Sequence, residues 1–346
     1  MICRSKAPLR IGLAGGGTDV SPYSDMYGGS ILNATIDLYA YASIIPRNDG
    51  QVVFKTFDQK EELRLKSAKS FQIDGHFDLF KGIYNRIVKD FAYEPLAFEL
   101  CTYVDVPAGS GLGTSSTLVV SIIGAFVEWL NLPLGEYDIA HLAYEIERVD
   151  LKMAGGKQDQ YSATFGGFNF MEFYDNNRVI VNPLRINEDY IHELETNIVL
   201  YYSGMSRLSA VIIEEQQKNV REKNNESIEA MHKLKEQSIM MKEALLRGEL
   251  HKIGDVLNYG WLHKKNMASG ISNSGMDTIY EAAMKEGAIG GKISGAGGGG
   301  FMFFFCPGNT RYGVISRLKE FGGAVTGFSF VNNGLTSWKT KKIRHT

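Results

Sequence analysis

Chemistry-bearing residues are densest in Pro107-Ala-Gly-Ser-Gly-Leu-Gly-Thr-Ser-Ser116. Gly109, Gly111 and Gly113 free the backbone to turn and to approach a ligand closely. Ser110 and Leu112 alternate with them, and the hydroxyls of Thr114, Ser115 and Ser116 close the segment. It lies between a predicted strand, 98–104, and an almost wholly apolar run, 115–130, which predicts a buried helix. N–H groups gathered at a helix start bind anions, phosphate above all. This arrangement would hold a triphosphate on N–H groups and leave one hydroxyl for Mg²⁺. Ser/Thr capping of an ordinary helix accounts for one hydroxyl. It does not account for the Gly-Ser-Gly-Leu-Gly before it.

That decapeptide holds one of four glycine clusters. The windows 12–29, 109–113, 155–167 and 287–300 contain 21 of the 38 glycines in 346 residues. The rest of the chain has ordinary glycine content, so the excess is local and points to ligand-facing turns. Other phosphate-binding patterns fail. Gly156-Lys157 and Gly291-Lys292 are followed by Gln158 and Ile293, so there is no P-loop. Gly295-Ala-Gly297-Gly-Gly-Gly300 spells G-x-G-x-x-G, but it leads into a predicted strand instead of opening a helix, which is the wrong context for a dinucleotide fold.

The supporting elements follow from periodicity. Residues 30–46 read as two strand segments, with further strands at 51–57 and 62–66. Apolar residues recur at helical spacing over 76–93, and 137–149 is an amphipathic helix. Strands are expected at 168–173 and 179–182. The composition turns polar near 183–188, which places a boundary between domains 1–184 and 185–346. The second half reads as strand 197–203, long charged helices over 208–246 and 252–266, helix 276–286, strand 301–306, helix 312–321 and strand 324–331. The tail from Trp338 is basic and is expected to fray into solvent.

Composition narrows the function classes. With 37 basic and 39 acidic residues the net charge is −2, which speaks against a general nucleic-acid binder. Cys3, Cys101 and Cys306 are too few and too widely spaced for a disulfide framework or zinc site. No apolar run of membrane-spanning length occurs. A soluble, cytoplasmic protein with no nucleic-acid or membrane partner is expected, and a homodimer is a candidate assembly.

Three motifs together resemble the GHMP kinases (galactokinase, homoserine kinase, mevalonate kinase and phosphomevalonate kinase). They are Lys6-Ala-Pro-Leu-Arg-Ile-Gly-Leu-Ala-Gly-Gly-Gly-Thr-Asp19, the 107–116 decapeptide, and Lys292-Ile-Ser-Gly-Ala-Gly-Gly-Gly-Gly300. The resemblance implies a two-domain α+β fold. Its N-terminal domain is like a ribosomal-protein domain and its C-terminal domain is ferredoxin-like. It also implies ATP bound on residues 107–116. Ala154-Gly-Gly-Lys-Gln-Asp-Gln160, Trp261-Leu-His-Lys-Lys265 and the glycines before Thr18-Asp19 look like the heptose 7-phosphate kinases within that superfamily. Galactokinase-like members carry Gly-Glu-His where this chain has Gly15-Gly16-Gly17.

By the same resemblance, Asp159 matches the catalytic aspartate, which orients the acceptor hydroxyl and can take its proton. Arg10 matches the cation beside it. Ser115 and Glu147 match the Mg²⁺ ligands. Gly15, Gly16, Gly17, Thr18 and Asp19 match the segment that meets sugar hydroxyls, and Gly297 and Gly298 belong to the cluster expected to close over the substrate. A phosphorylated acceptor needs a basic anchor, for which Lys157, Arg207 and Lys264 or Lys265 are candidates. The implied reaction is ATP-dependent phosphorylation of the anomeric hydroxyl of D-glycero-D-manno-heptose 7-phosphate. An anomeric kinase for an unphosphorylated sugar such as fucose or galactose, and a catalytically inactive binding protein, are the alternatives.

Overall fold

The computed structural model describes residues 1–205 and 209–341. Strands rich in β-branched and aromatic residues build the first half: β1 (Ile2–Ala14), β2 (Gly29–Pro46), β3 (Gln51–Thr56), β4 (Glu61–Lys66), β5 (Phe98–Val104), β6 (Phe168–Phe173) and β7 (Val179–Pro183). The second half adds β8 (Ile198–Tyr202), β9 (Gly290–Ile293), β10 (Phe301–Phe305), β11 (Ala324–Thr326) and β12 (Thr336–Thr340). The helices are α1 (Tyr23–Tyr27), α2 (Asp78–Ile87), α3 (Thr114–Leu130), α4 (Glu136–Glu145), α5 (Gln158–Phe165), α6 (Glu188–Asn197), α7 (Ser209–Arg221), α8 (Asn225–Arg247), α9 (Ile253–Lys264), α10 (Ser274–Lys285) and α11 (Arg311–Lys319).

Two sheets result. The larger runs β12-β1-β2-β5-β3-β4, with β6 on β2 and β7 on β6. The smaller runs β11-β8-β10-β9. β2 is the spine of the larger sheet. Along one edge it pairs β6 through Gly29–Ala34 and then β5 through Ala40–Pro46, while β1 follows its other edge. The β1–β2 register shifts between Pro8 and Arg10 and again between Gly12 and Ala14. Such bulges bend a strand and re-aim its side chains, and here they flank Arg10 and Gly12.

The cores explain the sequence patterns. The apolar α3 is buried because it packs against the sheet and against α2 and α4, with Val119, Ile123 and Phe126 meeting Val52, Phe54, Ile83 and Ile139. In β10 successive side chains alternate faces. Phe301, Phe303 and Phe305 join Leu9, Ile11 and Leu13 of the larger sheet. Met302 and Phe304 join Trp261, Met276 and Ile279 under the helices. Five consecutive apolar residues are therefore buried on two faces, and Trp261 is core.

Several expectations need revision. Residues 30–46 fall within one 18-residue strand, Gly29–Pro46, not two segments. The 137–149 helix ends its α-helical part at Glu145 and continues as a wider π-helical turn, Ile146–Asp150, closed by the Leu151 N–H donating to the Ile146 carbonyl. The strand expected over 324–331 is regular only through Thr326. The tail does not fray at Trp338. Residues 336–340 pair antiparallel with Ile2–Lys6 as β12, and Lys339 lies near Glu128 and Asn131. Chain beyond the 184/185 boundary thus returns to the first sheet.

Candidate active site

Gly109, Gly111 and Gly113 have φ of 72°, 86° and 81°, a region L side chains rarely adopt. Gly113 stands at the N-cap of α3, and no side chain caps the helix there. The first N–H groups of α3 are thus left for a ligand, where the helix dipole favours an anion. A Cβ on Gly111 would lie 2.5 Å from the Ser294 carbonyl oxygen, and one on Gly300 2.3 Å from that of Ser110. The second and fourth glycine clusters therefore pack backbone to backbone. Gly109, Gly111, Gly113, Thr114, Ser115 and Ser116 line one cavity. Ser110 and Leu112 are fully buried and do not line it, so Leu112 offers core packing and main-chain groups only. Pro107 is exposed at the loop's start.

Asp159 stands at the second position of α5, against this loop. Its carboxyl carbon lies 3.1 Å from where a Cβ on Gly113 would be. Arg10 Nε and Nη2 each lie 2.7 Å from Asp159 Oδ1. Arg10 Nη1 donates to the Gly111 carbonyl at 2.7 Å and to Ser294 Oγ at 3.3 Å, while its main-chain N–H donates to the Leu112 carbonyl. One buried guanidinium thus joins residues of two glycine clusters, 109–113 and 287–300, to Asp159. Among the described residues Asp159 Oδ2 has no hydrogen-bond donor, so it is free to accept one from a substrate hydroxyl.

Glu147 lies on the π-helical turn and is 1% exposed. Its Oε2 accepts from Gln160 Nε2 at 2.5 Å, and its Oε1 lies 3.5 Å from Ser115 Oγ and 3.6 Å from an Arg148 nitrogen. The described residues hold no cluster of three or more His, Cys, Asp or Glu side chains. One carboxylate oxygen and one hydroxyl beside a phosphate loop suit Mg²⁺, which keeps waters and takes substrate phosphates as further ligands.

The first glycine cluster divides between structure and site. Asp19 Oδ2 accepts the main-chain N–H groups of Lys157 and Gln158 at 2.8 and 2.9 Å. It therefore caps α5 and sets the direction of Asp159. Burial, the largest influence, raises the Asp19 pKa against these hydrogen bonds. Thr18 is fully buried. Its hydroxyl donates toward the Gly15 and Ser30 carbonyls and accepts from the Ser30 N–H, so it braces the turn and does not face an acceptor. Gly15 N–H donates to Gln237 Oε1. Gly16, Gly17 and Asp19 do line a second cavity, with Arg10, Asp159, Lys264 and Lys292. From the fourth cluster, Gly295 and Ala296 line it. Gly297 and Gly298 instead pack on Ile271, whose carbonyl takes the Gly298 N–H.

The candidate anchors separate as well. Lys157 is buried with Nζ 3.2 Å from Asp25. Lys265 lies 3.7 Å from Asp277, away from the cavity. Lys264 Nζ donates to the Gly295 carbonyl at 2.6 Å. Burial first, and Arg10 second, lower its pKa to about 8, against the pull of Asp19. Arg207 lies outside the described residues. Two features escaped sequence reasoning. Lys292, quoted above only as part of a motif, donates to the Gly12 carbonyl at 2.8 Å. Burial and the nearby Lys264 and Arg10 hold its pKa well below the usual range. A third cavity beside the phosphate loop has an apolar wall of Phe77, Phe80, Val104, Val106 and Leu118 and, among its polar lining, Asp58, Glu61 and Asp78. The residues of that apolar wall read simply as core in the sequence, because their periodicity is that of packing.

Comparison with known proteins identifies the family. Residues 78–167 match the model of the GHMP kinases N terminal domain and residues 241–324 that of the GHMP kinases C terminal. The chain is 52% identical over 336 residues to the D-glycero-alpha-D-manno-heptose 7-phosphate kinase of Campylobacter jejuni, covering 97% of this chain and 98% of that one. A solved structure named as a D-glycero-D-manno-heptose 1-phosphate kinase from Bacteriodes thetaiotaomicron superposes with a TM-score of 0.84 at 45% identity, covering 98% of this chain and all of that one. The L-fucokinase/L-fucose-1-P guanylyltransferase of Bacteroides fragilis is 27% identical over 86% of this chain, which spans 34% of that longer protein. The chain belongs to the GHMP kinase family and is an ATP-using sugar kinase of that family.

Proposed function

We propose that this kinase transfers the γ-phosphoryl group of ATP to the anomeric hydroxyl of D-glycero-D-manno-heptose 7-phosphate, giving the 1,7-bisphosphate for nucleotide-activated heptose synthesis. The observation that carries this reading is the Arg10–Asp159 pair standing between the phosphate-loop cavity and the second, basic cavity. ATP phosphates rest on N–H groups of the loop and the start of α3. The acceptor hydroxyl donates to Asp159 Oδ2 and passes its proton there as it attacks. Arg10 holds the carboxylate in place and offsets charge on the transferring group. Ser115 and Glu147 hold Mg²⁺, which when bound neutralises the phosphate oxygens. The apolar wall of the third cavity, beside the loop, receives the adenine. Residues 1–184 supply the loop, the metal ligands and Asp159, while residues 185–346 supply both lysines of the acceptor cavity. No helix among the described residues is long and apolar enough to cross a membrane. We place the enzyme in the cytoplasm, where ATP is available. A homodimer is its expected assembly, to be checked by light scattering.

The name of the Bacteriodes protein supports a second reading, in which the acceptor is the 1-phosphate. Both reactions end at one bisphosphate, so the substrate must be varied. Each heptose monophosphate is offered separately with ATP, alongside free fucose, galactose and mannose, and products are identified by phosphorus NMR. Growth of an anomeric phosphate signal from the 7-phosphate is the expected result. Turnover of the 1-phosphate alone, or of free hexoses alone, would overturn the proposal.

A further inference from the structure

Gly16 is a glycine that its own backbone does not require. Gly15 and Gly17 on either side have φ of 78° and 105°, whereas Gly16 lies outside that left-handed region. Nor does packing demand it. A Cβ there would lie 3.5 Å from Lys264 Nζ and 3.8 Å from Lys292 Nζ, both ordinary contacts. What the missing side chain leaves open is the space before two ammonium groups.

Those groups are short of partners. Both lysines are 3% exposed. Each Nζ donates to one main-chain carbonyl, Gly295 or Gly12, although an ammonium carries three donors. Neither makes an ion pair among the described residues. Of the carboxylates on this cavity, Asp159 is matched by Arg10, and Asp19 accepts two main-chain N–H groups through Oδ2. Unpaired buried cations are costly, and a ligand anion removes that cost. Both lysines line the cavity with Asp159 and are absent from the lining of the phosphate-loop cavity, so this anion belongs to the acceptor and not to ATP. Lys157 already has Asp25.

Building on the proposed sugar-phosphate acceptor, we infer that Gly16, Lys264 and Lys292 form the seat of the phosphate group the acceptor brings with it. Gly16 supplies room, and the two ammonium groups supply donors and charge. The shifted lysine pKa values accord with this, since an arriving dianion restores the charged form that burial disfavours.

The test compares the wild-type chain with Gly16→Ala, Lys264→Met and Lys292→Met. It measures kcat/KM for heptose 7-phosphate and for unphosphorylated heptose, the KM for ATP, and thermal melting. Loss of an ionic contact made only by the phosphorylated acceptor should lower the ratio of the two kcat/KM values about tenfold or more in each folded variant, with the KM for ATP unchanged. Gly16→Ala is the decisive variant if a lysine substitution prevents folding, because its Cβ meets nothing closer than van der Waals contact. An unchanged ratio overturns the seat while leaving the substrate proposal standing. So does a parallel rise in the KM for ATP, which would assign the lysines to nucleotide phosphates. If the wild type prefers another sugar phosphate and the variants erase that preference, the seat stands and the heptose reading falls. If the wild type accepts only unphosphorylated sugars, both fall.

Discussion

Asp159 and Lys264 face one cavity, and the surroundings of each dictate a separate experiment. Asp159 keeps one oxygen on Arg10 and one toward the acceptor, so Asp159→Asn removes the proton acceptor while disturbing little of the ATP loop. A fall in turnover of roughly 10²–10⁴-fold with little change in the KM for ATP is expected, read by coupled ADP release. Full retained turnover would remove Asp159 from the mechanism. Lys264 is surrounded by Arg10, Lys292, Asp19 and Asp159, and its pKa is lowered from 10.5 to about 8. Its charge is lost as pH rises through about 8, so affinity for the phosphorylated acceptor should weaken there, and binding above that pH should take up protons. Stability runs the other way. The unfolded chain keeps this lysine charged up to 10.5, so the burial penalty is full below about pH 8 and shrinks as pH climbs between the two values. Calorimetry in buffers of different ionisation enthalpy reads the first effect, and melting without ligand reads this group's share of the second. Asp159, Arg10, Ser115 and Glu147 were legible because each sits in or near a contiguous motif. Lys292 also sits in a motif. Its task was not legible, because only tertiary packing sets its ammonium before Gly16.

The element that positions Asp159 was missed in the sequence, and the reason is physical. α5 is eight residues long, and its apolar residues show no clear helical stripe. Its N-terminal N–H groups are satisfied by Asp19, 138 residues earlier, and not by its own N-cap residue. Neither length nor local capping could announce it. The dependence is testable at Gly156. A Cβ there would fall 1.9 Å from Asp19 Oδ2. Gly156→Ala should therefore push Asp19 off the start of α5 and tilt Asp159. Turnover should drop about a hundredfold, as a displacement near 1 Å can cause. The KM for ATP should move far less. Normal turnover in a folded Gly156→Ala protein would contradict this account. The π-helical turn carrying Glu147 is likewise indistinguishable from plain helix in the sequence, since its apolar spacing is that of the α-helix preceding it. The β1 bulges at Arg10 left no sequence signal, because they arise from how β1 follows β2 along its full length.

Across the molecule, the two halves are held together by both core and strand. β10 buries one face against the larger sheet, and β12 closes that sheet by pairing with the first residues of the chain. Deleting the chain from Thr336 onward should expose the β1 edge and remove the five paired positions of Ile2–Lys6. A lower melting temperature and soluble aggregates in size-exclusion chromatography are expected, since an uncovered edge strand recruits other chains. An unchanged monomeric profile with unchanged melting would show the strand to be dispensable. The basic composition of this tail suggested solvent, and its partner lies more than 300 residues away, so no local pattern could reveal the pairing. The amino-acid order alone carried the glycine turns, the apolar α3, most helices and strands, and the motif residues, because backbone freedom and apolar period are properties of neighbouring residues. The fold settled which oxygen of Asp159 stays free, why Thr18 braces instead of binding, and why Gly16 faces two lysines. Thr18 is tied to Gly15 and Ser30 nearby, but the Asp159 and Gly16 outcomes depend on groups more than 100 residues apart that only tertiary packing brings together.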